Sequence, residues 1–254
     1  TDKVDWPCDV TRIYSPTHLG CRQRVLTGLD AVFAEVPHAV ILEDDCLPDE
    51  SFFDFASALL DRYAAEDQVM SIGGHLWHLP DGFTPESYWF SAYPATWGWA
   101  TWSRAWTRYA DAATAWLSAR ESTWLEERFG GPSVAAQLWW RALDAEATGT
   151  STWDYTRTQD HWIHGALAAR ASTNLIPNIA NGVDATHTRD TRHPSAARPA
   201  STLPPPLMHP REIRADAARD EALESAVHSG VISRRMALVR AELVRSEAGG
   251  EILG

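Results

Sequence analysis

The stretch AVILEDDCLPDE, at residues 39–50, joins an apolar run to a cluster of acids and decides the predicted fold. Its first four residues, 39–42, favour a β-strand, and an unbroken apolar run is typical of a strand that is buried on both faces. Glu43, Asp44 and Asp45 follow at the carboxyl end of this strand. Open α/β sheets bind their ligands at that edge, so these acids are the first candidates for a functional site.

Three adjacent carboxylates repel one another, and two interpretations account for them. A divalent metal that holds a diphosphate would neutralise them, because hard cations prefer oxygen ligands and keep positions open for phosphate oxygens. The simpler interpretation is a solvated acidic turn before the next helix. An acidic triplet alone does not decide between the two.

The composition is that of an ordinary globular protein, with 44% apolar and 22% charged residues in a chain of 254. The net charge of −12 argues against nucleic acid or an anionic membrane as the main partner. Three cysteines fit neither a disulfide framework nor a zinc site, so we expect a reducing, cytoplasmic compartment. We expect no transmembrane segment, because no apolar run approaches the necessary length.

The order of the predicted elements indicates an α/β fold in which helices flank a mainly parallel sheet. A strand over residues 8–14 and a helix over residues 21–36 precede the strand at 40–42. This β-α-β order favours parallel pairing, with strand 40–42 at the centre of the sheet. Further strands are predicted over residues 68–72, 88–93 and 173–176, and further helices over residues 49–63, over 112–148 with a break at 130–132, and through 160–167.

Tryptophan is unusually abundant, with thirteen residues that lie mostly between Trp77 and Trp140. Its flat apolar faces suit sugar rings, although a Trp-rich core is the simpler explanation for most of them. The stretch PATWGWATWSRAW, residues 94–106, needs a tight backbone at Gly98. The candidates for the wall of a sugar pocket, or equally for core packing, are Trp97, Trp99 and Trp102.

The sequence contains four motifs whose order along the chain resembles that of a known family. The chain resembles bacterial glycosyltransferases of the GT-A fold, in the family 2-like group sometimes described as haemolytic proteins. It is more distantly similar to N-acetylglucosaminyltransferase I, which has a similar acidic triplet, Gly-Trp segment and Trp-Asp pair. The motifs that carry the resemblance are the strand and acids at 39–45, the Tyr-Pro…Trp-Gly-Trp segment at 93–102, Trp153-Asp154, and the loop NIANGVDATHT at 178–188.

The resemblance covers about residues 5–210 and implies a GT-A-like, Rossmann-like sheet flanked by helices, with a helical C-terminal extension. Residues 1–190 would form the glycosyltransferase domain, residues 191–210 a Pro-rich linker, and residues 211–254 the C-terminal helices. Such enzymes begin with a strand, a helix and a second strand that carry much of the nucleotide pocket. We find no counterpart of that part here and expect it to be missing from this sequence.

The resemblance also implies a donor site. Asp45 would contact Mn²⁺ or Mg²⁺, Asp44 would lie near the donor ribose or sugar, and Glu43 would lie nearby. His187 is the next candidate metal ligand, supported by Asp184 in the same loop, and the alternative is an ordinary surface histidine. A metal in this position would neutralise the diphosphate leaving group as charge builds on it.

Asp154 is the candidate general base, because an acceptor hydroxyl that attacks an anomeric carbon must lose its proton. The alternative is that Asp154 caps the helix that follows it. Trp153 and Gly98 join the residues expected to contact the donor sugar. One carboxylate on the acceptor side, with no evident nucleophile, implies direct displacement with inversion, and Asp160 is a second possible base.

The predicted partners are a nucleotide-sugar donor, UDP- or GDP-linked, and a glycan or other hydroxyl acceptor. A different class of function is a non-catalytic, partner-dependent carbohydrate-binding remnant of such an enzyme. A metal-dependent phosphohydrolase would fit the acids but leaves the tryptophan segments unexplained. Arg22 and Arg24 open the helix after Gly20 and either reach a phosphate or stay solvated.

Overall fold

The computed structural model describes residues 4, 6–76, 78–149, 152–179 and 198–226, which form a five-stranded sheet between helices. The strands are β1 (His38–Ile41), β2 (Val69–Gly73), β3 (Tyr88–Ser91), β4 (Trp99–Trp102) and β5 (Leu167–Ala171). The helices are α1 (Gly20–Phe33), α2 (Ser51–Arg62), α3 (Ser103–Ala119), α4 (Trp124–Arg128), α5 (Val134–Ala147) and α6 (Asp154–Ile163). A further helix covers residues 217–226.

The sheet is mixed, with the strand order β1-β4-β2-β5-β3. Among the described strands, the β2–β5 pair alone is parallel, whereas β1–β4, β4–β2 and β5–β3 are antiparallel. The prediction of an α/β fold is confirmed, and the prediction of a mainly parallel sheet is wrong. The expected β-α-β unit is not formed, because residues 8–15 adopt no helix or strand and β1 pairs with β4 instead.

The central position predicted for strand 40–42 is also wrong, because β1 lies at an edge of the sheet. Val40 is 36% exposed and Leu42 is 39% exposed. Within the described part of the chain, β1 pairs on one side only, with β4. The apolar run correctly predicted a strand, but an apolar run does not reveal how many neighbours the strand will have.

The main core lies between α2 and one face of the sheet. Successive side chains of a strand point to opposite faces, so β4 directs Ala100 and Trp102 into this core and Trp99 into a second cluster. That second cluster joins Trp99 to α1 and α3 on the opposite face. The main core includes Phe52, Phe55, Leu59, Ile72, Phe90 and Leu203.

Residues 160–176 differ from their predicted elements in three ways. The helical pattern predicted through residue 167 ends at Ile163, because Gly165 has a φ of +58° that suits glycine and terminates the helix. The sequence LAARA at 167–171 then forms β5, although it has no β-branched residue. The short strand predicted at 173–176 is not formed. The strand in this region is β5, which ends earlier, at Ala171.

Residues 198–210, the described part of the Pro-rich stretch, lie against the domain. The N–H of Ser201 donates to the carbonyl of Asn174 at 2.8 Å, and the N–H of Ser87 donates to the carbonyl of Met208 at 2.8 Å. Leu203 is buried in the main core. Helix 217–226 then packs beside β3, where Asp220 accepts hydrogen bonds from the Ser91 hydroxyl and the Ala92 N–H.

No helix in the described ranges has both the length and the apolar character that crossing a membrane requires. Of the region 211–254 predicted to form the C-terminal helices, residues 227–254 lie outside the described residues.

Candidate active site

The sheet edge at the carboxyl end of β1 gathers residues from separate parts of the chain. Ile41, the last residue of β1, pairs with Trp99, and Trp99 also pairs with Gly73 at the end of β2. The acids at 43–45 and the residues at 97–98 therefore lie at the same edge. This edge is where a ligand of an open α/β sheet is expected.

A carboxylate from the distant Trp-Asp motif joins the acidic triplet at this edge. Asp154, the first residue of α6, interacts electrostatically with Glu43, as do Asp45 and Asp44. Burial is the main cause that raises the pKa of Glu43 to about 7, and the three negative charges add to it. Burial and the same four carboxylates also raise the pKa of the Cys21 thiol. The tertiary structure thus brings four carboxylates close enough to interact electrostatically.

Glu146, which the sequence did not single out, caps the N-terminus of α6. Its buried carboxylate accepts the N–H of Tyr155 at 3.0 Å and the N–H of Thr156 at 3.3 Å. Burial raises the pKa of Glu146 despite these hydrogen bonds. The N-cap position itself belongs to Trp153, not to Asp154. The capping role considered for Asp154 is therefore filled by Glu146, a carboxylate that arrives from the end of α5.

Asp45 is held by the segment that begins the predicted 178–188 loop. The Asn178 side-chain amide donates to Asp45 Oδ2 at 2.9 Å, and the Ile179 N–H donates to the main-chain carbonyl of Asp45 at 2.8 Å. Cys46 and Asn178 form an antiparallel bridge. The acids and the start of this loop are therefore in contact, whereas His187 lies outside the described residues.

A glycine turn places Trp97 at the same edge. Gly98 has a φ of +61°, and a Cβ added there would lie 2.5 Å from Ile176 Cγ1, so both conformation and space require glycine. The Trp97 ring is partly buried and lies 4.5 Å from the ring of His75. His75 Nδ1 donates to the Ile176 carbonyl at 3.1 Å, and burial lowers its pKa to about 3, so the imidazole is neutral.

The other tryptophans considered for a sugar pocket are covered by protein. Trp99 and Trp153 pack with ring centroids 5.8 Å apart in the cluster beside α1 and α3. Trp102 lies in the main core, and its Nε1 donates to the Leu60 carbonyl at 3.2 Å. Of the four candidate rings, Trp97 alone is partly exposed, whereas the other three are buried.

Two buried arginines support the connection from β3 to β4 that carries Trp97. Arg157 donates to the Ala95 carbonyl at 2.6 Å and lies 3.6 Å from the centre of the Trp99 ring. Arg170 donates to the Tyr93 carbonyl at 3.0 Å. Burial lowers the pKa of Arg157 to about 9 and of Arg170 to about 10, so both stay charged at neutral pH. Buried carbonyls need donors, and these arginines supply them.

The two arginines that open α1 bind main-chain carbonyls. Arg22 donates to the carbonyl of Glu146, and Arg24 donates to the carbonyl of Ile13. Arg22 therefore links the start of α1 to the end of α5, next to the carboxylate that caps α6. Neither arginine is simply solvated, and Arg22 lies one residue from Cys21 at the acidic edge.

The donor atoms at this edge suit a hard cation without forming a complete metal cage. Within the described ranges, no three His, Cys, Asp or Glu side chains are arranged to hold a metal ion. Mg²⁺ is commonly held by one or two carboxylates together with substrate phosphates and water. Asp45 and Asp44 offer that kind of donor set, and Asp45 is already oriented by Asn178.

No protein-family model and no curated protein matches the chain. The chemistry of the acidic edge must therefore be inferred from its own residues. Four carboxylates, a partly exposed indole and a loop anchored on Asp45 can bind a cation, stack on a flat apolar face and accept a proton.

Proposed function

We propose that the protein is a metal-dependent glycosyltransferase that moves a sugar from a nucleotide-sugar donor to an acceptor hydroxyl with inversion. The observation that carries this proposal is that Asp154 lies near enough to Glu43 to interact with it electrostatically, as do Asp44 and Asp45, although Asp154 is far from these acids in the sequence. A glycosyl transfer of this kind needs one group of carboxylates for the cation and a separate carboxylate for the proton. The mixed α/β sheet with its site at a strand end is consistent with the GT-A-like fold, which we include in the proposal.

The acids after β1 are assigned to the donor. Asp45 would hold Mn²⁺ or Mg²⁺, assisted by Asp44, and the ion would neutralise the diphosphate of the leaving group. The raised pKa of Glu43 reflects mutual repulsion as well as burial, and repulsion is the property that a bound cation would relieve. His187 completes the assignment as a proposed second ligand.

Asp154 is assigned the role of general base. Its position at the N-terminus of α6 is rigid, because Glu146 accepts the N–H groups of Tyr155 and Thr156. Since Glu146 accepts these two N–H groups, the Asp154 carboxylate is not needed to cap them. A single base on the acceptor side, without a covalent nucleophile, gives direct displacement and inverted stereochemistry.

The test is a panel of UDP- and GDP-linked sugars with Mn²⁺, followed by calorimetric titration of the nucleoside diphosphate. We expect Asp45→Asn to lose most of the metal-dependent affinity and the exposed Asp54→Asn, on α2, to keep it. Because both variants remove one negative charge, a general effect of charge would weaken both alike. Unchanged affinity in Asp45→Asn would contradict the assignment of the metal.

A second function is favoured by the exposed edge strand. Val40 on β1 and Leu42 just after it are exposed at the outer edge of the sheet, which would suit a partner-dependent carbohydrate-binding remnant. That protein would bind glycans and show no turnover with any nucleotide sugar on its own. The donor panel distinguishes the two functions, because turnover by the isolated chain contradicts the remnant.

A further inference from the structure

A cleft between α1 and α3 has no role in the donor site described above. It has a volume of about 450 Å³, which falls within the usual range for small-molecule sites. It runs along α1 from Arg22 to Ala34, a length of about 18 Å at the rise of an α-helix. The residues that line it are Arg22, Leu26, Asp30, Phe33, Ala34, Trp106, Thr107 and Tyr109.

The walls of the cleft combine aromatic rings with one carboxylate. Trp106 and Tyr109 stack with centroids 4.8 Å apart and an interplanar angle of 6°, and Phe33 lies 6.0 Å from Trp106. Trp106 Nε1 donates to Asp30 Oδ1 at 2.8 Å, which fixes the carboxylate beside the rings. Sugar rings bind through apolar C–H faces against aromatic groups and through hydroxyls that donate to acceptors.

The charges in the cleft favour a neutral ligand over a nucleotide. Among the described residues that line it, Arg22 is the only cation, and its guanidinium already donates to the Glu146 carbonyl. Asp30 would repel a phosphate placed beside the aromatic rings. A hydroxyl-rich ligand without charge can use the second oxygen of Asp30 as an acceptor and meets no such repulsion.

The cleft ends beside the proposed base. The Tyr109 hydroxyl donates to the carbonyl of Trp153 at 3.0 Å, and Trp153 precedes Asp154. At the same end, Arg22 follows Cys21, whose thiol experiences the charges of Asp154 and the acids of the donor site. A chain of sugar rings that lies in the cleft would therefore reach toward Asp154.

We propose that the α1–α3 cleft binds the acceptor, as a neutral pyranose or short oligosaccharide that packs mainly against the partly buried Leu26 and Phe33, with the largely buried Trp106 and Tyr109 lining the floor of the cleft. This inference rests on the proposed function, because the acceptor role requires Asp154 as the base. It adds a binding site for the second substrate and identifies its chemical class.

The experiment is saturation-transfer NMR with methyl glucoside, methyl galactoside, methyl mannoside and cellobiose, applied to the full chain. Thr107→Trp fills the cleft from its exposed rim, and Thr27→Trp on α1 is the matched control outside it. Both threonines are exposed, and each donates its hydroxyl to the carbonyl four residues earlier. We expect transfer to at least one sugar in the parent and in Thr27→Trp, and a signal weaker by at least about fivefold in Thr107→Trp.

Absence of transfer in the parent, or equal transfer in both variants, would overturn the cleft as a sugar site. Titration of UDP and GDP with Mn²⁺ against the same three proteins separates this result from the proposed function. Nucleotide binding that is equal in all three, with sugar binding lost only in Thr107→Trp, supports the acceptor site. Sugar binding without any nucleotide binding would overturn the acceptor role and the proposed transferase together, while the sugar site itself would stand.

Discussion

The strands β1 and β2 end at the same edge of the sheet but differ in how they are buried. All five residues of β2 are buried, whereas the four residues of β1 alternate between exposed and half-buried. β2 has a neighbour on each side, and β1 pairs only with β4 in the part of the chain that the structure describes. The comparison indicates that β2 contributes mainly to stability and that β1 contributes mainly by presenting the acids.

The largest expected effect is on stability, and a substitution in β2 should cost much more stability than one in β1. Ile72 of β2 is completely buried, and Ile41 of β1 is only partly buried. We expect Ile72→Ala to lower the free energy of unfolding by about 2–5 kcal/mol, because it leaves a cavity in a packed core. Ile41→Ala should cost less than about 1.5 kcal/mol. Urea unfolding of both variants measures this, and equal losses would contradict the comparison.

The next effect should be a loss of activity that is not caused by a loss of stability. Asp154→Asn keeps shape but cannot accept a proton, so we expect kcat to fall at least ~10²-fold, or about 2.7 kcal/mol in the barrier. The melting temperature should not fall, because Glu146 caps α6 and the substitution removes one of the charges that repel Glu43. Donor affinity should change by less than about threefold. Turnover and melting temperature must be measured together. Near-normal turnover would exclude Asp154 as the base and direct attention to Asp160.

Substitution of Asn178 tests whether the acids at the exposed edge are held in position before the metal and the nucleoside diphosphate bind. Its amide orients the Asp45 carboxylate at 2.9 Å. We expect Asn178→Ala to weaken binding of Mn²⁺ with nucleoside diphosphate by about 10–100-fold, as for other residues that orient a metal ligand. Ile179→Ala is the control, because it retains the main-chain hydrogen bond to Asp45. Calorimetry on both variants would disprove the orienting role if they bind alike.

Glu43 should make the acidic edge less stable as the pH rises. Burial and the neighbouring carboxylates raise its pKa in the folded protein from 4.5 to about 7. The stability linked to this proton is therefore present below pH 4.5 and is lost as the pH rises through about 7. We expect Glu43→Gln to be more stable than the parent by about 1–2 kcal/mol at pH 8, after discounting for solvent screening. The two proteins should be nearly equal at pH 4, and the reverse order would contradict this.

The buried histidines of the core should show the opposite pH dependence. Burial lowers the pKa of His161 from 6.5 to about 3, and His161 is neutral between Ser71 and the Arg157 carbonyl. The linked stability is present above pH 6.5 and is lost as the pH falls through about 3. We expect His161→Gln to reduce the slope of unfolding free energy against pH by up to about 1.4 kcal/mol per pH unit in that window. An unchanged slope would contradict it.

Sequence patterns correctly predicted those helices and strands whose formation depends on residues close together in the sequence. The helical period over 49–63 predicted α2, and the apolar segments at 68–72 and 88–93 predicted β2 and β3 to within about two residues. The break predicted at 130–132 is followed by α5, which Ser133 caps, since its hydroxyl accepts the Ala136 N–H at 3.1 Å. By contrast, β5 was missed because LAARA lacks β-branched residues, and only burial between β2 and β3 makes it a strand.

The residues that support the site could not be identified from the sequence, for a related reason. Arg157 and Arg170 look like solvent-facing residues in a sequence, because arginine is seldom fully buried. They are buried because the β3–β4 connection exposes carbonyls to the protein interior, and only folding brings those carbonyls near. Glu146 is similar: its partners at 155 and 156 belong to the next helix.

The sequence by itself determined that a short apolar strand ends in three acids and that a glycine turn carries Trp97 and Trp99. These features depend on side-chain chemistry and backbone preference over a few residues. The tertiary structure alone decided that β1 is an edge strand, that Asp154 joins Glu43, and that Asn178 holds Asp45. Strand neighbours and charge clusters are set by long-range packing, and many arrangements of the same local elements satisfy the same local preferences.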